Sequence, residues 1–493
     1  MFIHKLIRKI SSDKLYFYMA LALIPLGFLI FFVAKFGMDI PYMDEWDFVP
    51  LIEKSYQGDL VFQDLWGQLN AQRPFFTRII IIGLAQITKW NISYELVLSI
   101  ILSIGIFTII TYQIRKTAKS FGNNRMLWVI PIVSLIVFSL GQENNWLVGM
   151  DFQYFLNVFA VVLGIMLLSN PKIGWFRIII SILLGIIASY TEINGIFFWI
   201  IGLIVLLSVS HRNRKDKIKI SIWIIAGIII ITTFFYDYHS QESLASFSFL
   251  SHPLEYLEYV FNYLGAPLFA FGKQVINIQL LNRFPLFMNG AAIVGFFGLI
   301  IGFFLIWLFI YKEKIVFNRF IPYLSYSFYS IFSALATGIG RFGLKEPYQA
   351  LSTRYITFSS LLWITNILLL SIIISDAKLD FKNRSKKWIR RSGQFTLTVI
   401  VILLIINAIY GGITGIYRNL KWSETRNELL GIEDDSYLER YNPLLQLLSK
   451  SHKDELFKSK HEDILKRIYP DLEILLERVE IMKKRQLSLF REK

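Results

Sequence analysis

Long apolar runs separated by short polar breaks fill most of the chain. They stand at 15–36, 92–114, 126–142, 152–169, 173–190, 193–209, 217–236, 285–310, 319–337, 353–375 and 394–415. About 20 apolar residues in a helix cross a bilayer, so the pattern predicts an all-α polytopic membrane protein with about eleven transmembrane helices. A membrane β-barrel would instead alternate apolar and polar positions over segments of about ten residues. The run 74–90 is shorter and is predicted to lie in the interface. Leu60, Phe62, Leu65, Trp66 and Leu69 recur at helical spacing, which predicts an amphipathic interfacial helix over 60–76. A further amphipathic helix is predicted from Pro253 to Phe271. Near Tyr417 the composition turns charged, with Ile464, Leu465, Ile468, Leu472 and Leu475 in helical register. Two regions result: a transmembrane domain over 1–415, whose first outside loop spans 37–91, and a small helical tail over 416–493.

Charge orients these elements. The N-terminus and the segments 115–125, 170–177, 211–219, 311–319 and 376–391 are rich in Lys or Arg, whereas 141–151 and 190–194 have neither. Cytoplasmic loops hold the basic residues of a membrane protein, so the N-terminus is predicted inside and the first loop outside. An odd number of spans carries the tail outside as well. Counting 74–90 as a span would reverse Arg115, Lys116, Lys119 and Arg125, which is why it is read as interfacial. The first run lacks a small-residue cleavage site and reads as a retained anchor in a plasma or inner membrane.

Composition adds exclusions. The 493 residues are 55% hydrophobic and carry a formal charge of +15. With the positive charge between spans, the partners it implies are lipid head groups, and nucleic acid is excluded. Cysteine is absent, which removes disulfides, thiol chemistry and cysteine-ligated metals. His4, His211, His239, His252, His452 and His461 show no metal-ligand spacing.

Candidate chemistry gathers on the outside. Asp44, Glu45 and Asp47 open the first loop, interleaved with Tyr42 and Trp46. A carboxylate partly desolvated at the edge of an apolar phase gains the basicity to take a proton from a hydroxyl. The alternative is that these acids merely solvate the loop. Arg73 and Arg78 close the same stretch and suit a phosphate, or else snorkel to lipid head groups. Arg341 and Arg354 oppose the positive-inside trend, and such exceptions point to function; Gly338, Gly340 and Gly343 would allow close backbone approach to a ligand. The competing reading is an ion pair with Glu192 or Glu346. Glu143, Asp151 and Glu192 offer oxygen ligands for a hydroxyl or for a divalent cation, Mg or Mn, with no spacing signature for a metal.

These phrases together resemble the GT-C superfamily of integral membrane glycosyltransferases, and look closest to bacterial Gtr-type serotype-converting glucosyltransferases. The likeness is carried by Asp44-Glu45-Trp46-Asp47, Asp64-Leu65-Trp66, Asn70-Ala71-Gln72-Arg73, Glu143-Asn144-Asn145-Trp146, Phe152-Gln153, Asn194-Gly195, Gly340-Arg341 and Arg354-Tyr355. It runs from the first span to about residue 375. The resemblance implies transfer of a sugar from a polyprenyl-phosphate-linked donor to a hydroxyl of a surface glycan or its lipid-linked precursor, outside the membrane. It also implies an acidic base in the first loop, a role carried onto Asp44 before Glu45 or Asp47. Phosphate binding falls on Arg73, Arg341 and Arg354, and the matched phrases add Asn145 and Tyr355 to the substrate site. One departure is that Ala71 and Gln72 stand where related stretches have an acid and a histidine. Two readings from other classes compete: a flippase for a lipid-linked saccharide, and a non-catalytic scaffold of envelope glycan assembly.

Overall fold

The computed structural model describes residues 2–120, 124–170, 173–209, 213–239, 251–270, 290–312, 317–341, 347–375, 383–431 and 464–491. Among these residues the protein is helical throughout, and the sole β feature is an isolated bridge between Leu69 and Gln72. Eight helical stretches are long and apolar enough to cross a membrane: Lys14–Phe36, Ser93–Ser120, Met126–Leu147, Gly149–Leu168, Arg214–Phe235, Gly290–Leu308, Thr353–Ser375 and Trp388–Leu430. They answer eight of the expected spans. The other three expected spans are also helical. Trp175–Ser189 and Ile193–Val209 are shorter, and Phe317–Arg341 is less apolar, being rich in serine and tyrosine. The protein is thus a helical, multi-pass membrane protein.

The helices are labelled in chain order. They begin with α1 (Phe2–Phe36), α2 (Val49–Gln57), α3 (Phe62–Trp66), α4 (Phe75–Thr88), α5 (Ser93–Ser120) and α6 (Ile130–Val137). Next come α7 (Glu143–Leu147), α8 (Phe152–Leu168), α9 (Trp175–Ser189), α10 (Phe197–Val209) and α11 (Arg214–Phe235). The last are α12 (Pro253–Phe269), α13 (Gly290–Lys312), α14 (Phe317–Arg341), α15 (Ile356–Ser375), α16 (Asn383–Leu430) and α17 (Leu472–Arg485).

Helix α15 is the axis of the bundle: Ile356 to Ile373 are all buried. A helix apolar all round has to be sheathed by others, and its few polar groups bond to them. Thr365 donates to the Tyr323 carbonyl (2.7 Å), Asn366 to the Gly298 carbonyl (2.8 Å) and Trp363 to the Leu264 carbonyl (2.7 Å), which ties α14, α13 and α12 to it. On α11, by contrast, Ile224, Ile225, Ile228 and Ile229 face outward, as a lipid-facing helix requires.

The first loop closes one end of the bundle. Met43–Phe48 form a 3-10 turn, and α2, α3 and α4 follow. At about 21 Å, α4 is not among the eight stretches long enough to cross, and it is of a length with α9 and α10. The helix expected over 60–76 is not continuous. α3 and the first two residues of α4 are helical, Gly67 ends α3, and residues 67–74 are irregular around a left-handed Asn70 (φ +52°). The break sits where Gly67 and Pro74 flank a segment closed by the Leu69–Gln72 bridge, with Asn70 reaching Asp44 and Ala71 accepting from the Tyr238 hydroxyl. Near the opposite end of the chain, α16 runs unbroken through position 415, so the tail begins inside a helix. Gly343, Glu346 and the polar segments 313–316 and 376–382 lie outside the described residues.

Candidate active site

The turn Met43–Phe48 carries three acids with three different fates. Glu45 is buried, and both its oxygens are engaged: Oε2 accepts from the Tyr42 N–H (2.7 Å) and Oε1 from the Met150 N–H (2.5 Å). Burial, with the neighbouring Glu95, holds the Glu45 carboxyl well above the ordinary range. Gly149 makes room for this pair, since a Cβ there would lie 2.6 Å from Glu95 Oε2 and 2.7 Å from Glu45 Oε1. Glu45 therefore fastens the first loop to the turn that bears Asp151. Asp47 is taken by the tail, with Arg478 Nη1 at 2.8 Å and the Tyr469 hydroxyl donating at 3.0 Å.

Asp44 is different. Half-buried, it accepts from the Asn70 side-chain amide at 3.4 Å, and it forms no ion pair among the described residues. Burial and then the Asp47 charge raise its carboxyl above the ordinary aspartate value, while Arg354 and Arg341 pull it back down. Met43, immediately before it, is held in the left-handed region (φ +49°), a costly conformation for a side chain of this size.

Arg354 is the hub of the site. It lies within electrostatic reach of Asp44, Asp151, Tyr154 and Glu192, and its guanidinium sits 5.2 Å from the centre of the Tyr355 ring. The Arg354 Nε is buried with no hydrogen-bond partner in the described structure. Asn145 holds the backbone beneath it by donating to the Thr353 and Arg354 carbonyls (3.4 and 3.3 Å) and to Thr357 Oγ1 (2.8 Å). Tyr355 in turn stacks on Tyr263. Arg341, the last residue of α14, adds a second positive charge toward Asp44 and Glu192.

Glu192 occupies the turn between α9 and α10, with Gln72 as a hydrogen-bond partner. Burial pushes its carboxyl up to about 8 despite Arg354, so at neutral pH it is largely a neutral donor. Asp151 accepts from Asn144 Nδ2 at 2.6 Å. Asn144 is oriented by Arg418, which donates to its Oδ1 at 2.5 Å and pairs with buried Glu143 at 3.0 Å. The Arg418 guanidinium also lies over Tyr42 and Trp422, at 5.8 and 5.6 Å. Glu143 is thus drawn toward Arg418, and among the described residues no group of three or more His, Asp or Glu side chains is arranged to hold a metal ion.

The structure therefore brings together Asp44, Asp151, Glu192, Arg341, Arg354 and Tyr355, with Glu143 and Asn145 as supports. It engages two expected phosphate ligands elsewhere. Arg73 donates to the carbonyls of Phe234 (2.8 Å), Trp66 (3.2 Å), Tyr236 and Asp237 (3.2 Å), and Arg78 to those of Leu65 (2.9 Å) and Gly67. Burial lowers the Arg78 guanidinium to about 10, still charged at neutral pH. Gly338 packs against the Tyr256 ring, while Gly340 faces open space. Gln72 and Asn144 lie in phrases the sequence offers without a role for either, and Arg418 lies outside all of them. Arg418 opens a charged tail, where one more cation breaks no pattern, so nothing in the sequence marks it.

No family model and no curated protein matches the chain. Among solved structures it is similar to the archaeal oligosaccharyltransferase AglB from Archaeoglobus fulgidus, solved in complex with an inhibitory peptide and a dolichol-phosphate. The TM-score is 0.42 at 11% identity, covering 89% of this chain and 60% of that one. So weak a likeness assigns no fold family.

Proposed function

We propose that the protein is a GT-C-type glycosyltransferase that moves a sugar from a polyprenyl-phosphate donor to a hydroxyl of a cell-surface glycan or its lipid-linked precursor. The observation that carries this reading is Asp44: a half-buried carboxylate with no ion pair among the described residues, within electrostatic reach of Arg354 and Arg341. An Asp44 carboxylate oxygen takes the proton of the acceptor hydroxyl. The hydroxyl oxygen attacks the anomeric carbon, and the bond from that carbon to the phosphate oxygen breaks. The polyprenyl phosphate departs with the electron pair, and Arg354 and Arg341 stabilise its charge. Direct displacement inverts the anomeric carbon. Glu192, neutral and buried, donates a hydrogen bond to a sugar hydroxyl. A base and a neutral acid held apart by their surroundings are the usual division of labour for two carboxyls in one site.

The arrangement suits a site at the outer face of the cytoplasmic membrane, where a polyprenyl chain stays in lipid while its head group reaches the loop. Mass spectrometry of surface glycans from cells with and without the protein tests the reading. A hexose-sized addition that depends on the protein is expected. Unmodified glycan accompanied by a shift of the lipid-linked saccharide to the other leaflet would indicate a flippase instead.

A further inference from the structure

The described end of the tail, 464–491, is stitched to the first loop. Ile468 accepts from the Met43 N–H (2.7 Å), Ser488 donates from its backbone to the Lys89 carbonyl (3.0 Å), Arg485 pairs with Glu53 (2.6 Å), and Arg491 pairs with Asp39. One of these contacts and a further one, at Asp47, bear on the site. The Ile468 carbonyl pins the left-handed Met43 next to Asp44, and Arg478 with Tyr469 takes Asp47. In a 3-10 turn the side chains at i and i+3 eclipse, so Asp47 stands on the same face as Asp44, the worst place for a second negative charge.

We propose that Arg478 is a positioning residue of the active site: by pairing Asp47 it keeps that carboxylate's charge off Asp44 and so sets the strength of the base. This rests on the reading of Asp44 as base. The groups facing Asp44 are Asp47 on its own turn, Arg341 from α14, Arg354 before α15 and Asp151 before α8. Asp47 is the charged group that most raises the Asp44 carboxyl. Facing Asp47 are Arg478, Tyr469 and, at longer range, Arg78. Arg478 is itself mostly covered, lying 4.7 Å from the centre of the Tyr469 ring, so its charge is directed at Asp47 and little screened by solvent.

The absence of cysteine allows a direct test. Asp44→Cys places a single thiol at the site in the full-length, detergent-solubilised chain, and its alkylation by iodoacetamide as a function of pH gives the thiol's titration midpoint. Adding Arg478→Gln leaves Asp47 uncompensated. The midpoint should rise by about half a pH unit, which slows alkylation below the midpoint about threefold. In an Asp47→Asn background the same change should have less than half that effect, and Arg478→Lys should keep the parent's midpoint. No shift with Arg478→Gln, an equal shift in both backgrounds, or a shift with Arg478→Lys as large as with Arg478→Gln would each overturn the proposal. The assay uses no donor or acceptor, so its failure is separate from a failure of Asp44 as the base.

Discussion

A carboxylate can act as a base only if an oxygen is left free to take the proton and is not held in an ion pair. In the first loop Asp39, Asp47, Glu53 and Asp64 are paired to Arg491, Arg478, Arg485 and Lys54, and Glu45 accepts two backbone N–H groups. Asp59 is exposed just past α2, and Asp44 is the remaining one, beside the cationic hub. Glu192 shows its character through pH. Its folded carboxyl titrates near 8 against an ordinary 4.5, so between those values the folded state holds a proton that the unfolded chain releases. Stability conferred by the neutral form is complete below pH 4.5 and is lost as pH rises through 8, by on the order of a few kcal/mol. Melting of the solubilised protein from pH 5 to 8.5 should show this decline, and Glu192→Gln should make it shallower; an unchanged slope would show that Glu192 ionises normally. Arg418→Met should destabilise by about 3 kcal/mol or more because it strands the buried Glu143 carboxylate. Adding Glu143→Gln should recover most of that loss, measured as the melting temperature. The acids and arginines that converge were legible in the sequence because each opposed a trend: acids in a basic chain, cations on the cation-poor side. Asn144 and Gln72 oppose no trend, and a neutral amide that orients a carboxylate shows only in three dimensions.

Among the elements, the irregular stretch 67–74 departs most from what periodicity implies. The apolar spacing that runs into it from Leu60 to Leu69 is helical, yet α3 ends at Trp66 and the chain turns to lay Trp66 against Tyr190, with ring centroids 4.8 Å apart. What replaces helical hydrogen bonds there is arginine. Arg73 spans the carbonyls that end α11 and those of the loop, satisfying groups a helix C-terminus leaves unpaired. Sequence reading gave Arg73 and Arg78 a phosphate because a guanidinium fits phosphate and carbonyl oxygens alike, and spacing cannot distinguish them. The two roles separate experimentally. Arg73→Ala should lower stability by about 2–4 kcal/mol. Arg73→Lys should not restore it, because one ammonium cannot reach so many carbonyls. A normal melting temperature with selective loss of donor binding would return Arg73 to the ligand role.

At the scale of the molecule, the site exists because both chain regions meet at one end of the bundle. Helix α11 starts at Arg214 and ends beside Arg73, about 33 Å away, so Lys215 lies at the opposite end from the loop. Single cysteines at Asp59 and Lys484 should therefore react with a membrane-impermeant maleimide from the same side, and one at Lys215 from the other. Labelling of Lys484 with Lys215 would separate the tail from the loop. The helical membrane fold itself was plain in the apolar runs, since hydrocarbon leaves backbone polar groups no partner but their own helix. The joining of tail to loop was not plain, because ion pairs between residues some 400 positions apart leave no local pattern.

The most direct test of the account is one substitution. Asp44→Asn keeps size and shape and removes the base, so cells expressing it at the parent's level, with the parent's melting temperature, should lose the hexose-sized addition to their surface glycan by a factor of about 100 or more. Retention of that modification at the parent's level would contradict the assignment of Asp44 and, with it, the mechanism built on this site.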